Sequence, residues 1–106
     1  MPTTYRIDFC ILSTPQCATC RVMEARVREV VKRLVTRSYV TVYKLTEKSD
    51  RAALDALKVP YQGVTSVPQT YVLCNGTQIM DLIPGLMSVD EIVARVVARM
   101  EEAVRV

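Results

Sequence analysis

The 106-residue sequence contains no histidine and no tryptophan. Without histidine, the chain cannot use an imidazole base to activate a nucleophile, and every metal site that needs an imidazole ligand is excluded. No apolar run approaches the roughly 20 residues of a membrane-spanning helix, so we expect no membrane association. The net charge of +3 is too small to indicate nucleic-acid binding, and most arginines are typical of solvated helix faces.

The start of the chain lacks the basic segment and the apolar core of a signal peptide, so we expect a cytoplasmic protein. Without such a peptide, four cysteines give little support for a structural disulfide framework. Half of the residues are hydrophobic, which excludes a disordered chain. The length suits one domain over residues 1–106 with a modest core, and we expect a monomer.

Two of the cysteines, Cys17 and Cys20, lie between two structured segments. Before them, residues 5–12 are mostly apolar and predict a central strand; after them, residues 22–35 have helical periodicity. Cys17 would then lie at a helix N-terminus, where outward N–H groups stabilise a thiolate. Two thiols at this spacing can close and reopen a small disulfide ring, and in an intracellular βαβ chain the arrangement is typical of a redox motif.

The rest of the chain predicts five more elements. The order is β-α-β-α-β-β-α, because turn-forming or helix-capping residues separate the apolar runs. The crossover makes the first half of the sheet parallel and the hairpin makes the second half antiparallel, so we expect an α/β fold with a mixed four-stranded sheet flanked by helices. The predicted elements are a strand at 39–45, a short helix capped by Ser49 or Asp50 and ending at 57, strands at 69–74 and 78–83 around Asn75-Gly76, and a helix begun by the capping box at 88–91.

These features together resemble the thioredoxin superfamily over nearly the whole chain. The resemblance is carried by the Cys-Ala-Thr-Cys sequence at 17–20, by the loop at 63–68 that ends in Val67-Pro68, and by the spacing from Pro68 to Asn75-Gly76 and then to Gly85. It implies a thioredoxin-like fold. It also implies that the Val67–Pro68 bond is cis and lies against the active-site disulfide.

The resemblance further implies a thiol–disulfide oxidoreductase, a thioredoxin-like protein-disulfide reductase. Cys17 would attack a disulfide in a substrate protein, Cys20 would resolve the mixed disulfide, and the backbone of Val67, next to Pro68, would pair with an extended substrate strand. We expect Cys17 to be exposed and Cys20 to be largely buried. No bound cofactor is required, and electrons would come from a flavoprotein resembling thioredoxin reductase. The alternatives are a glutathione-dependent, glutaredoxin-type reductase and a thioredoxin-fold interaction module with incidental redox chemistry.

The chain departs from the family pattern at three informative positions. Ile11 replaces the buried carboxylate that thioredoxins place six residues before the first cysteine, so Cys20 would have to lose its proton to water or to the leaving thiolate. Gln16 replaces the tryptophan that precedes that cysteine. No Gly-Gly pair follows the fourth strand, where glutaredoxins bind glutathione, and the matching residues 84–87 are apolar.

The other candidate groups have simpler interpretations. Cys17 and Cys20 could be inert or form half of a zinc site, but zinc needs about four ligands. The only other thiols, Cys10 and Cys74, are predicted on neighbouring strands away from Cys17, so no metal is expected. We interpret Cys10 as core and Cys74 as a hairpin residue. We interpret Lys44 as an ordinary lysine at a strand end and Arg21 as an outward, solvated arginine.

Overall fold

The computed structural model of the chain describes residues 6–34, 37–62 and 66–104, with side chains as far as residue 102. Its elements follow the predicted order, except that the fourth strand is in two pieces. The elements are β1 (Arg6–Ser13), α1 (Ala18–Arg33), β2 (Arg37–Lys44), α2 (Lys48–Ala56), β3 (Gln69–Cys74), β4 (Thr77–Gln78), β5 (Ile83–Pro84) and α3 (Val89–Val104). Four predictions fall on positions outside the described residues: the start of the first strand at 5, the end of the first helix at 35, the loop at 63–65, and the side chain of Val104, which we expected on the apolar face of the last helix.

The sheet is mixed, as the sequence predicts. Its strand order is β2-β1-β3-β4, and β5 also pairs with β3. β1 is parallel to β2 and antiparallel to β3, and both β4 and β5 are antiparallel to β3. The sheet is therefore four strands wide, because β4 and β5 both lie along the same edge of β3. This arrangement confirms the predicted α/β fold.

The prediction of one continuous fourth strand over 78–83 is wrong. Met80 and Ile83 both enter the same hydrophobic cluster. In a regular strand, residues three apart point to opposite faces, so the chain must leave the strand geometry between them. Such interruptions are common at sheet edges.

The tight turn before this edge has the expected geometry. Asn75 and Gly76 both have positive φ angles, 52° and 86°, as a two-residue hairpin of type I′ requires. The side-chain oxygen of Asn75 also accepts a hydrogen bond from the backbone N–H of Arg6 at 2.9 Å, and the Asn75 N–H donates to the Arg6 carbonyl at 2.8 Å. The turn is thereby fastened to the start of β1.

The predicted cap of the second helix is wrong. α2 begins at Lys48, so Ser49 and Asp50 lie inside it, and Glu47 at the N-cap makes no side-chain cap hydrogen bond. The Asp50 carboxylate instead accepts a hydrogen bond from the Lys44 N–H at 2.8 Å, which joins the helix to the end of β2. At the last helix, Ser88 acts as predicted: its hydroxyl accepts from the N–H of Glu91 at 3.2 Å.

The three helices cover both faces of the sheet. One hydrophobic cluster lies between the sheet and helices α1 and α3, and a second lies on the α2 side. β1 contributes alternate residues to the two clusters, which explains its nearly continuous apolar sequence. In the part of the chain that the structure describes, no helix is long and apolar enough to cross a membrane. Fully buried side chains of the first cluster include Ile7, Phe9, Ile11, Met23, Val27, Val72, Ile92 and Val96.

Candidate redox site

The two cysteines of the motif lie at one end of the sheet. β1 and β2 are parallel and end together, with Ser13 opposite Lys44. β3 is antiparallel to β1 and begins at this same end, with Gln69 opposite Leu12. The turn after β1 leads directly into α1, so the helix N-terminus and the start of β3 meet beside Cys17. Parallel strands commonly place functional groups at this edge because their carboxyl ends converge there.

Cys17 is the N-cap residue of α1. A disulfide joins it to Cys20, with the two Cα atoms 5.2 Å apart. Its sulfur accepts a hydrogen bond from the Cys20 N–H at 3.0 Å, the role that a serine or aspartate oxygen usually has at an N-cap. The Thr19 hydroxyl lies 3.3 Å from the same sulfur and can donate to it. The sulfur is therefore held among donors at the positive end of the helix.

Cys20 is more deeply buried than Cys17, as expected. Cys20 is 4% exposed, in agreement with the prediction. The prediction that Cys17 is exposed is wrong: it is half-buried, because its sulfur lies against Cys20, Thr19 and the carbonyl of Val67. Arg21 is exposed, in agreement with its interpretation as a solvated arginine, and it also lies at the depression beside the disulfide described below.

The Val67–Pro68 peptide bond is cis, as the resemblance implied. The Val67 carbonyl oxygen lies 3.9 Å from the Cys17 sulfur; this is a contact in the disulfide, where the sulfur carries no proton. Val67 is half-buried, and Pro68 is buried. The Pro68 carbonyl accepts a hydrogen bond from the N–H of Gly85 at 2.9 Å. The positive φ of Gly85, 68°, favours glycine at this approach.

A depression of about 250 Å³ lies beside the disulfide. Two polar side chains of this region were not predicted from the sequence: Thr19, which contacts the Cys17 sulfur, and Glu24, which lines the depression. The spacing offered a clue in each case, because Thr19 lies two residues after Cys17 and Glu24 lies one helical turn after Cys20. The residues that line the depression are Ser13, Thr14, Pro15, Cys17, Cys20, Arg21, Glu24, Val42 and Lys44.

The remaining cysteines are buried free thiols away from this edge. Cys10 belongs to the cluster on the α2 side and Cys74 to the cluster on the α1 side, so the sheet separates them. Burial, assisted by the Asp8 carboxylate, raises the pKa of Cys10 to about 11, and burial raises that of Cys74. Within the described ranges, no three metal-ligating side chains come together.

No family model matches the sequence, and no curated protein matches it. Several solved structures are similar to this chain. Malaria-parasite thioredoxin-2 is 15% identical with a TM-score of 0.63, and the match covers 90% of this chain and 84% of that one. Thioredoxin 1 of Thermosipho africanus is 14% identical with a TM-score of 0.63, and the match covers 91% of this chain and 97% of that one. Spinach chloroplast thioredoxin f is 13% identical with a TM-score of 0.63, and the match covers 90% of this chain and 77% of that one. These similarities show that the chain has the thioredoxin fold.

Proposed function

We propose that the protein reduces disulfides in other proteins by thiol–disulfide exchange. The observation that carries the proposal is the Cys17–Cys20 disulfide at the N-terminus of α1, with the cis Val67–Pro68 bond beside it. The fold supports it, since the solved structures that the chain resembles include several thioredoxins. We further propose that one domain acts as a monomer in the cytoplasm, where reductant is available.

In the proposed reaction the thiolate of Cys17 attacks one sulfur of a substrate disulfide. A mixed disulfide forms, and the other substrate sulfur leaves as a thiolate. Cys20 then attacks the Cys17 sulfur, the bond to the substrate breaks, and the Cys17–Cys20 disulfide remains. The hydrogen bonds from the Cys20 N–H and the Thr19 hydroxyl support Cys17 as the attacking group, and burial supports Cys20 as the internal one.

We propose that an extended segment of the substrate pairs with the backbone of Val67. Among the described residues, neither its N–H nor its carbonyl has a backbone hydrogen-bond partner. The adjacent Pro68 has no N–H, and its carbonyl is already bonded to Gly85. Val67 is therefore the residue next to the sulfurs that can bind a new strand.

A flavoprotein resembling thioredoxin reductase is the proposed electron donor. Glutathione binding would need donors for its carboxylates, yet the segment after β5 is apolar, and Leu86 is 43% exposed. The Gly85 N–H, which could bind a carboxylate, is bonded to Pro68. These features favour a protein donor over glutathione.

Insulin reduction with dithiothreitol tests the proposed activity. We expect the protein to accelerate precipitation of the insulin B chain and the Cys17→Ser variant to give the uncatalysed rate. A parent protein that gives no acceleration would reject the reductase function and leave the interaction module. Replacement of dithiothreitol by NADPH with thioredoxin reductase, or by glutathione with glutathione reductase, then identifies the donor. Efficient turnover with glutathione would favour the glutaredoxin-type alternative.

A further inference from the structure

The depression beside the disulfide contains one acidic side chain. Cys20 and Glu24 both line it, together with the cationic Arg21 and Lys44. At neutral pH, guanidinium and ammonium groups are donors only, whereas a carboxylate accepts protons. Among the titratable side chains that line the depression with the two cysteines, Glu24 is therefore the one suited to accept a proton.

Glu24 is well placed relative to Cys20. The two residues are four apart on α1, so they lie on the same side of the helix, one turn from each other. Because helical side chains lean toward the N-terminus, the Glu24 side chain extends toward the turn that carries Cys20. Both residues line the same depression, which agrees with this direction.

The ion pair of Glu24 leaves one oxygen available. Arg28 donates two hydrogen bonds, from Nε at 3.0 Å and Nη2 at 2.8 Å, and both go to Oε2. Within the described ranges, Oε1 accepts no hydrogen bond. The side chain is 32% exposed, so a proton taken up by Oε1 can pass on to water.

We propose that Glu24 is the proton acceptor for Cys20 in the resolving step. The proposal depends on the disulfide-reductase function proposed above. As Cys20 attacks, its proton moves to Glu24, the new bond to Cys17 forms, and the substrate sulfur leaves as a thiolate. Glu24 then returns the proton to water. Ile11, at the position where a carboxylate could have acted from the sheet, is fully buried and apolar, so the acceptor approaches from the helix.

The charged groups around Glu24 suggest the controls. Arg21 and Arg28 face it from α1, Lys44 faces it from β2, and the side chains that β1 and the following turn contribute, from Ser13 to Pro15, are uncharged. Arg28→Gln removes the ion pair but keeps the carboxylate. Glu29→Gln, on the same helix, changes a glutamate that also pairs with cations but does not line the depression.

The test uses the reduced protein and Ellman's reagent in a stopped-flow instrument. The first release of thionitrobenzoate reports attack by Cys17, and the second, absent in Cys20→Ser, reports resolution. A thiol with an ordinary pKa of about 8.5 is roughly 3% ionised at pH 7. Loss of the acceptor should therefore slow the second phase of Glu24→Gln by about ten- to thirtyfold at pH 7, with the difference shrinking toward pH 9. The first phase should be unchanged.

We expect Glu29→Gln to keep the second-phase rate within about twofold. Arg28→Gln, which keeps the carboxylate but removes its ion pair, and Glu24→Asp should both be slowed less than Glu24→Gln. A second phase in Glu24→Gln equal to that of the parent protein at pH 7 would overturn the role of Glu24, and so would equal slowing at every pH. Failure of the proposed function looks different, since the parent protein would then give no insulin reduction.

Discussion

Four cysteines in one small chain occupy two kinds of surroundings. At the sheet edge, the Cys17 sulfur accepts a hydrogen bond from a helix N–H and lies beside a hydroxyl. In the sheet interior, Cys10 and Cys74 lie among apolar side chains that hold their thiols in the protonated form. Because the thiolate is the reactive species, we expect location in the fold, more than residue type, to determine which cysteine can react.

Trapping of a substrate would test this difference most directly. Without a resolving thiol, Cys20→Ser should hold its substrate in a mixed disulfide on Cys17, with near-complete occupancy by non-reducing electrophoresis and peptide mapping. Cys20→Ser combined with Cys74→Ala should trap equally, and Cys17→Ser should trap nothing. A substrate found on Cys10 or Cys74 would remove the distinction between the edge and the interior.

Alkylation of the reduced protein measures the same difference in rate. A pKa of about 11 in place of 9.0 for Cys10 lowers its thiolate fraction near neutral pH by about a hundredfold. Iodoacetamide at pH 7 should therefore modify Cys17 first and reach Cys10 only after denaturant is added. Mass spectrometry of the digested protein reads the order. Modification of Cys10 before Cys17 in the native protein would contradict it.

An unpaired polar group in the interior should lower the stability of the fold. The Thr70 hydroxyl is buried and has no hydrogen-bond partner among the described residues. Thr70→Val should raise the free energy of unfolding by about 1–2 kcal/mol, because an unsatisfied buried donor is removed. Urea denaturation measures the change. Thr77→Val, at an exposed position of β4, should change stability by less than about 0.5 kcal/mol. An equal gain in that variant would indicate that the higher β-propensity of valine is the cause.

The smallest expected effect is the pH dependence of stability due to Cys10. The folded protein holds the Cys10 proton more tightly than the unfolded chain, so this contribution is fully present below about pH 9 and is lost as the pH rises toward 11. The loss between pH 8 and 10 should be about 1 kcal/mol. The pKa values of Tyr43, Tyr71 and Cys74 are raised as well. The parent protein is therefore compared with Cys10→Ala, whose free energy of unfolding should fall less between pH 8 and 10. Equal slopes would contradict the assignment.

Much of the molecule could be predicted from local patterns. The limits of β3 agree with those predicted, because Pro68 and Asn75-Gly76 bound an apolar run. The edge segment after the hairpin could not be predicted as it is, since its break depends on where Met80 and Ile83 enter the core. The sequence indicates that Asp50 is suited to a cap, but the end of β2 offers its carboxylate a different donor, the Lys44 N–H.

The order of elements and the Cys-x-x-Cys motif could be read from the sequence alone, since each depends on neighbouring residues or a short spacing. The cis bond at Val67–Pro68 was implied by the family resemblance. The groups that surround the sulfurs depend on how the chain folds. The contact between the Val67 carbonyl and Cys17 joins residues 50 positions apart, and the shared depression of Cys20, Glu24 and Lys44 requires β2 to lie beside α1. Such contacts form between distant segments, whose approach is set by packing of the whole sheet and not by local preference.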